Sequence, residues 1–454
     1  MKQRLIGVAV GLVVGLIGLS LLLVGPLSPN RTPAQTQATQ TAQATEAPVV
    51  SESAVATVSE EIEPCLVTEY ENDPLILNLQ AQVRDASTSN ITFDRSGNVA
   101  ARPASVQKLL IAAAALKALG PNYTATTRVY QDQANKSVIY LVGGGDPTIS
   151  RLKEGVQSVY RNAPKLDVLA AQAVRSLGGA TVSKIVVDSS LYGGPSGEYL
   201  SVWDQRGLTE GYQPYISALQ VDGDRDNPAK LSSKRSKDPV KRAGDWFKKS
   251  LGAAASGAAV EKGVTPPNAK EIAKISSRPI VEWIDYMLEV SDNTTAEALA
   301  RLVSIDVGLG GGSGTLTQAV QQALSATGIN LTGIKIEDGS GLSRYNQVSP
   351  ATINDLLMLI PKDPELSVML TGFPVAGQPG SLSDRFPNLQ GDVIAKTGWI
   401  RTGYTLAGYL NLEDGNQLIF TAYNLGESVN LDHRAALDRL AEGFYNCGIA
   451  LRAR

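Results

Sequence analysis

The chain has a single histidine, His433, and only two cysteines, Cys65 and Cys447, in 454 residues. A structural cysteine/histidine metal centre takes four such ligands and the chain has three in all, so that chemistry is disfavoured, and neither a metal nor an organic cofactor is expected. An excess of one charge sign is also missing. Lysine and arginine number 41 against 44 aspartates and glutamates, for a formal net charge of −3. That balance argues against nucleic acid as a partner. Aromatic residues make up only 6% of the chain while glycine is common, which suits a loop-rich α+β protein. A phosphate-binding loop is absent too. Gly308 to Gly314 is glycine-rich but lacks the lysine and the preceding buried strand that such a loop requires.

Met1-Lys2-Gln3-Arg4 is followed by an uncharged, mostly apolar run from Leu5 to Asn30. At about 1.5 Å of helical rise per residue, that run can cross a bilayer core of about 30 Å. It continues through Leu21, Leu22, Leu23 and Val24 to Gly25-Pro26-Leu27 rather than ending at a small-residue cut site, so an uncleaved anchor is favoured over a signal peptide. Lys2 and Arg4 would keep the N-terminus in the cytosol. The expected location is therefore the cell membrane, single-pass, with an extracytoplasmic head; secretion to the cell wall is the alternative. In an oxidising exterior Cys65 and Cys447 could form one disulfide, or each could be buried as a free thiol.

A chain of this length should hold two or three domains. Residues 1–27 are expected to be the anchor or signal. Residues 28–64, rich in Thr, Ala, Gln, Pro, Ser and Glu, read as a disordered linker, because so few bulky side chains cannot repay the entropy of ordering. Folding is expected from Cys65. A strand is predicted at Ile91–Phe93, a helix over Ser105–Leu119, and a hairpin from Thr126–Tyr130 and Ser137–Val142. Further helices are predicted over Asp167–Leu177, Pro279–Glu289, Thr295–Val303, Thr315–Ala326, Pro350–Ile360 and Asp432–Phe444. Strands are expected at Lys184–Asp188, Asp392–Thr397, Thr405–Leu410 and Gln417–Tyr423. The stretch from Asp188 to Arg278 is less regular, and its basic run Lys230–Lys249 reads as a solvated face.

Three short clusters carry the chemistry. Ser105 and Lys108 are spaced i, i+3 near a helix start, which puts hydroxyl and amine on one face. A serine needs an adjacent base to become a nucleophile, and with His433 near the far end, lysine is the natural one if burial or positive neighbours leave it neutral. Ser291-Asp292-Asn293 can offer a proton relay and an amide holder, with Asp292 structural. Lys396-Thr397-Gly398 closes an apolar strand and offers a charge, a hydroxyl and a residue without a side chain where a substrate backbone must come close. An exposed edge strand there could pair with an extended peptide. Taken singly, each cluster has a blander account as helix surface, capping loop or turn.

Together, and in this order, the clusters resemble the signature of the serine penicillin-recognising enzymes. The closer resemblance is to the D-alanyl-D-alanine carboxypeptidase/endopeptidase family of class C low-molecular-mass penicillin-binding proteins. It extends over Gly144-Gly145-Asp146-Pro147, the segments around Ser291 and Glu297, Asp338 to Arg344, and Pro374 to Gly377. The resemblance implies an α+β (α/β sandwich) penicillin-recognising, transpeptidase/β-lactamase-like domain formed by residues 65–144 and 275–454, with an inserted and reduced domain over 145–274. It implies Ser105 as the acylated serine, Lys108 as its base, Ser291 as proton carrier, and Asn293, Lys396, Thr397, Gly398, Trp399 and Arg344 as substrate-binding residues. Peptidoglycan stem peptides and β-lactams are the implied partners. Trp399 departs from the family, which usually has a small hydroxyl residue there. Its backbone N–H still suits an oxyanion hole, and Arg401 or Arg344 would take over from the missing hydroxyl. The alternatives are a β-lactamase or esterase of the same fold, for which no water-activating glutamate is evident, and a catalytically silent wall-binding protein.

Overall fold

In the computed structural model, which describes residues 65 and 67–452, Cys65 is bridged to Cys447 with Cα atoms 5.2 Å apart. After the single turn α1 (Thr68–Glu71) come β1 (Asn78–Asp85) and β2 (Ile91–Arg95). They join three strands from far along the chain, β8 (Val393–Ile400), β9 (Gly403–Asn411) and β10 (Gln417–Leu425), in a sheet ordered β2-β1-β10-β9-β8. Successive side chains of a strand face opposite sides, and β10 is apolar on both. Leu418, Phe420 and Ala422 pack with Leu437, Leu440 and Phe444 of α9 (Leu431–Asn446), which α10 (Gly448–Arg452) follows. Ile419 and Tyr423 face the opposite core. Helices therefore cover both sides of the sheet.

The core on that opposite side is built around α2 (Lys108–Leu119), in which every residue from Lys108 to Leu116 is buried. A helix that is apolar all round belongs inside a domain. It packs against α5 (Ile280–Val290), α6 (Asn293–Asp306), α7 (Leu316–Ala323) and α8 (Pro350–Leu359). The expected helix start at Ser105 differs in detail, because a 3-10 turn over Ala104–Gln107 precedes α2.

A second sheet, ordered β6-β5-β4-β3-β7, is formed by β3 (Thr126–Gln131), β4 (Val138–Val142), β5 (Lys184–Asp188), β6 (Ala259–Lys262) and β7 (Lys270–Ser276). Helices α3 (Leu166–Leu177) and α4 (Pro239–Leu251) cover it, with Leu169, Ala173, Val240 and Phe247 in its core. Strand β3 pairs with both β4 and β7, so the hairpin forms one sheet with strands that follow residue 145, and that sheet extends to Ser276. The basic run is correspondingly not just a solvated face, since α4 buries one side of it. Among the described residues no helix is long and apolar enough to cross a membrane. The run from Leu5 to Asn30 and the expected linker over 28–64 lie outside the described residues.

Candidate active site

Ser105 sits in the 3-10 turn ahead of α2, one residue after Ala104, whose φ of +46° is unusual for a residue with a side chain. Such a conformation costs on the order of 1–3 kcal/mol and persists only where its surroundings impose it. Two neighbours do so. Thr405 Oγ1 donates to Pro103 O at 2.7 Å. Gly341, at φ +84°, lies so close that a Cβ there would be 2.0 Å from Ala104 O. No acceptor for the Ser105 N–H is found among the described residues.

One turn on, Lys108 Nζ lies 2.8 Å from Ser105 Oγ, 2.8 Å from Asn293 Oδ1 and 2.6 Å from Ser340 O. Burial pushes the Lys108 amine down to about 8, although Asp338, Asp292 and Glu297 partly offset that by favouring its charged form. A lysine in this state can lose its proton near neutral pH.

The middle cluster forms the junction between two helices. Ser291 ends α5 in the left-handed region at φ +60°, Asp292 caps α6 by accepting from Thr295 N at 2.8 Å, and Asn293 is the first residue of α6. Ser291 Oγ accepts from Lys396 Nζ at 2.9 Å, while Asn293 Nδ2 donates to Tyr212 O at 2.9 Å. Asp292 is held by the inserted region. Arg225 Nη2 bonds its Oδ2 at 2.7 Å, and Tyr160 OH donates to its Oδ1 at 3.3 Å. Burial alone would raise the Asp292 pKa, but Arg225, the Thr295 N–H and Arg235 hold it below the usual value. Removing one partner of a buried pair leaves an uncompensated charge, so Arg225→Met is expected to cost about 3–5 kcal/mol in denaturant unfolding. A loss below ~1 kcal/mol, the size typical of exposed pairs, would contradict that reading.

The third cluster lies within β8 rather than at its end. β8 is an edge of its sheet, and its register with β9 runs unbroken from Val393↔Leu410 to Ile400↔Gly403. Ala395 N bonds outward to Pro374 O. Because strand N–H groups alternate in direction, those of Thr397 and Trp399 also point to the open edge. Lys396 Nζ donates to Thr397 O at 2.7 Å, and Thr397 Oγ1 to Ser381 Oγ at 2.9 Å. Burial, then the charges of Lys108 and Arg385, hold the Lys396 amine well below its usual value. A Cβ on Gly398 would lie 2.2 Å from Thr405 Oγ1 and 2.8 Å from Ser105 N, so the absence of a side chain also makes room for the serine turn.

These elements open on a cleft of about 750 Å³ whose walls include Ser105, Ser291, Asn293, Thr397, Gly398, Trp399, Arg344 and Arg401. Lys108 and Lys396 lie buried beneath it. Sequence reasoning missed the carbonyls of Ser340 and Tyr212, which no side-chain pattern signals. It also missed the work of Asp338, which accepts from Trp203 Nε1 at 2.7 Å, Gly341 N at 2.8 Å, Ser343 N at 2.7 Å and Asn346 Nδ2 at 2.9 Å. The turn-forming run Asp338-Gly339-Ser340-Gly341 was its available signal. Glu297 is tied at both oxygens, to Ser340 N at 2.8 Å and Arg301 Nη1 at 2.6 Å.

A sequence model of the D-Ala-D-Ala carboxypeptidase 3 (S13) family matches residues 66–228 and 224–443. A carboxypeptidase of Mycobacterium tuberculosis is 31% identical over 385 residues, covering 83% of this chain and 82% of its own. Carboxypeptidase DacB of Mycolicibacterium smegmatis is 31% identical over 382 residues, covering 82% and 81%. Among solved structures, penicillin binding protein 4 of Haemophilus influenzae is alike in fold, with a TM-score of 0.70 at 22% identity over 84% of this chain and 98% of that one.

Proposed function

Since the chain belongs to the D-Ala-D-Ala carboxypeptidase 3 (S13) family, we propose that its acyl transfer is carried out by Ser105, Lys108 and Ser291, with Asn293, Lys396, Thr397, Gly398, Trp399 and Arg344 binding substrate. The protein is a serine D-alanyl-D-alanine carboxypeptidase/endopeptidase of peptidoglycan stem peptides, and β-lactams acylate it. The observation that carries the assignment is the position of Lys108 Nζ, 2.8 Å from Ser105 Oγ and from Asn293 Oδ1.

In the proposed reaction, neutral Lys108 takes the proton of Ser105 as Oγ attacks the carbonyl between two terminal D-alanines. The backbone N–H groups of Ser105 and Trp399 receive the developing oxyanion, the arrangement that contributes most in acyl transfer. Ser291 passes a proton, shared with Lys396, to the departing amine. The ester on Ser105 is then released by water. The two lysines are coupled, because each ammonium disfavours the other. A substrate carboxylate near Lys396 favours its charged form, and that charge in turn favours loss of the Lys108 proton. Binding therefore prepares the base.

Both Glu297 oxygens are engaged, which leaves no free carboxylate there to activate water and disfavours the β-lactamase alternative. The expected assay result is release of D-alanine from a pentapeptide ending in D-Ala-D-Ala, blocked by prior exposure to penicillin. Rapid turnover of penicillin with the pentapeptide left intact would instead establish a β-lactamase. The uncharged run from Leu5 to Asn30 supports a single-pass anchor with the catalytic head outside the membrane. The strand pairing supports a division in which residues 126–276 are the inserted domain.

A further inference from the structure

Trp399 leaves the cleft without the hydroxyl that would ordinarily meet an anionic substrate end, so another group must meet it or none does. The indole is 54% exposed and lies against Tyr404, its partner in register, with ring centroids 6.2 Å apart. Beyond this pair the wall is made by α9. Arg434 and Asp438 are spaced i, i+4 on that helix and so share a face. Arg385 Nε bonds Asp438 Oδ2 at 3.1 Å, and a second Arg385 nitrogen bonds Oδ1. Arg385 and Arg434 both line the cleft. Burial raises the pKa of the Tyr404 hydroxyl, while Arg434 and Arg385 act on it in the opposite sense, consistent with their proximity.

The two arginines differ in one respect. Arg385 has its carboxylate. Arg434 is half-buried, and among the described residues its side chain has no hydrogen-bond or ion-pair partner. Its Nε is sealed from water and unsatisfied. A buried donor without an acceptor is costly in a folded protein. The cost is compounded by position, since the early turns of a helix disfavour a cation. By contrast Arg344 and Arg401 are exposed, and Arg344 already stacks over Tyr345 at 5.0 Å. Exposed cations gain little from an ion pair. Sealed as it is, Nε is out of reach of the cleft; the terminal nitrogens are not, and among the described residues they have no partner where the residue lines the cleft.

We propose that Arg434, backed by Arg385, is the residue that receives the carboxylate of the substrate's terminal residue, in place of a hydroxyl at position 399. This inference rests on the acyl-transfer reading above. It deepens that reading by naming what selects a free C-terminus. A guanidinium offers a planar fork that matches a carboxylate, and half-burial strengthens the bond relative to an exposed one.

The test uses the full protein and two peptides ending in D-Ala-D-Ala, one a free acid and the other a C-terminal amide. Arg434→Gln is expected to raise KM for the acid roughly 10- to 100-fold with kcat little changed, as loss of a charge-assisted bond implies. Amide cleavage should stay within about threefold of the native rate, because uncharged ends do not use the fork. Arg434→Lys, which keeps the charge but not the fork, should fall between native and Gln, and it carries the comparison if the Gln protein does not fold. Equal effects on acid and amide, or a larger selective KM rise in Arg401→Gln or Arg344→Gln, would overturn the proposal. A native protein that cleaves neither peptide and takes no penicillin would instead overturn the acyl-transfer reading itself.

Discussion

Lys108→Met is expected to slow acylation by penicillin by about 10²- to 10⁴-fold, the contribution of a positioned general base. Methionine fills a similar volume without the amine, and it leaves Asn293 Oδ1 and Ser340 O without the bonds that Nζ makes at 2.8 and 2.6 Å. In the proposed reaction the same amine sets a pH dependence. Its pKa is brought down to about 8, and the neutral form is the reactive one. Acylation should therefore rise with pH by roughly tenfold per unit below that value and level off above it. The sign follows from the base being needed without its proton. A rate that falls across the same range, or a Lys108→Met protein as fast as the native one, would remove lysine from the role of base.

Gly398→Ala is expected to lower the acylation rate about 10²- to 10³-fold, comparable to the loss of one oxyanion donor. The added methyl would come 2.2 Å from Thr405 Oγ1 and 2.8 Å from Ser105 N, far inside contact distance, so the turn carrying Ser105 must move. Two effects are mixed there. Thr405 Oγ1 also holds Pro103 O at 2.7 Å, and its displacement alone could loosen the turn. The double variant Gly398→Ala, Thr405→Ala removes the clash with the hydroxyl but keeps the one with Ser105 N, so it should stay slow. Recovery to native rates in the double variant would place the fault in the threonine contact instead.

The parts legible in the sequence were those whose chemistry resides in side chains. Ser105 and Lys108 are one turn apart, so their meeting follows from helical spacing. Lys396 follows an apolar run, so its place on a strand was expected. What could not be read was the partner on the other side of each contact. Ser340 and Tyr212 act through carbonyls, and every residue has one. Asp292 had the look of a helix cap and is one, but nothing local announces that Arg225, from a loop between β5 and α4, neutralises it. The hairpin of β3 and β4 was visible from its turn residues, yet pairing within a hairpin does not say which sheet it joins; β7, more than a hundred residues later, decides that. β1 was not expected, although Leu79, Ala81 and Val83 alternate with Gln80, Gln82 and Arg84. Its polar face is buried against α8, where Asn354 Nδ2 donates to Gln82 O at 2.9 Å, and such a mixed pattern reads weakly as a core strand.

The dependence of the middle cluster on loops between β4 and α4 has a consequence for engineering. Deleting residues 126–276 would remove Tyr160, Tyr212 and Arg225 together, and with them the groups that hold Asp292 and Asn293. A shortened catalytic domain should therefore not be treated as an independent enzyme.

Peptide mapping by mass spectrometry after exposure of the native protein to penicillin tests the central claim most directly. A single adduct of one penicillin per chain, on the peptide that contains Ser105 and Lys108 and localised to the serine, is the predicted result. An adduct on Ser291 or any other residue, or none on a folded protein, would contradict the account.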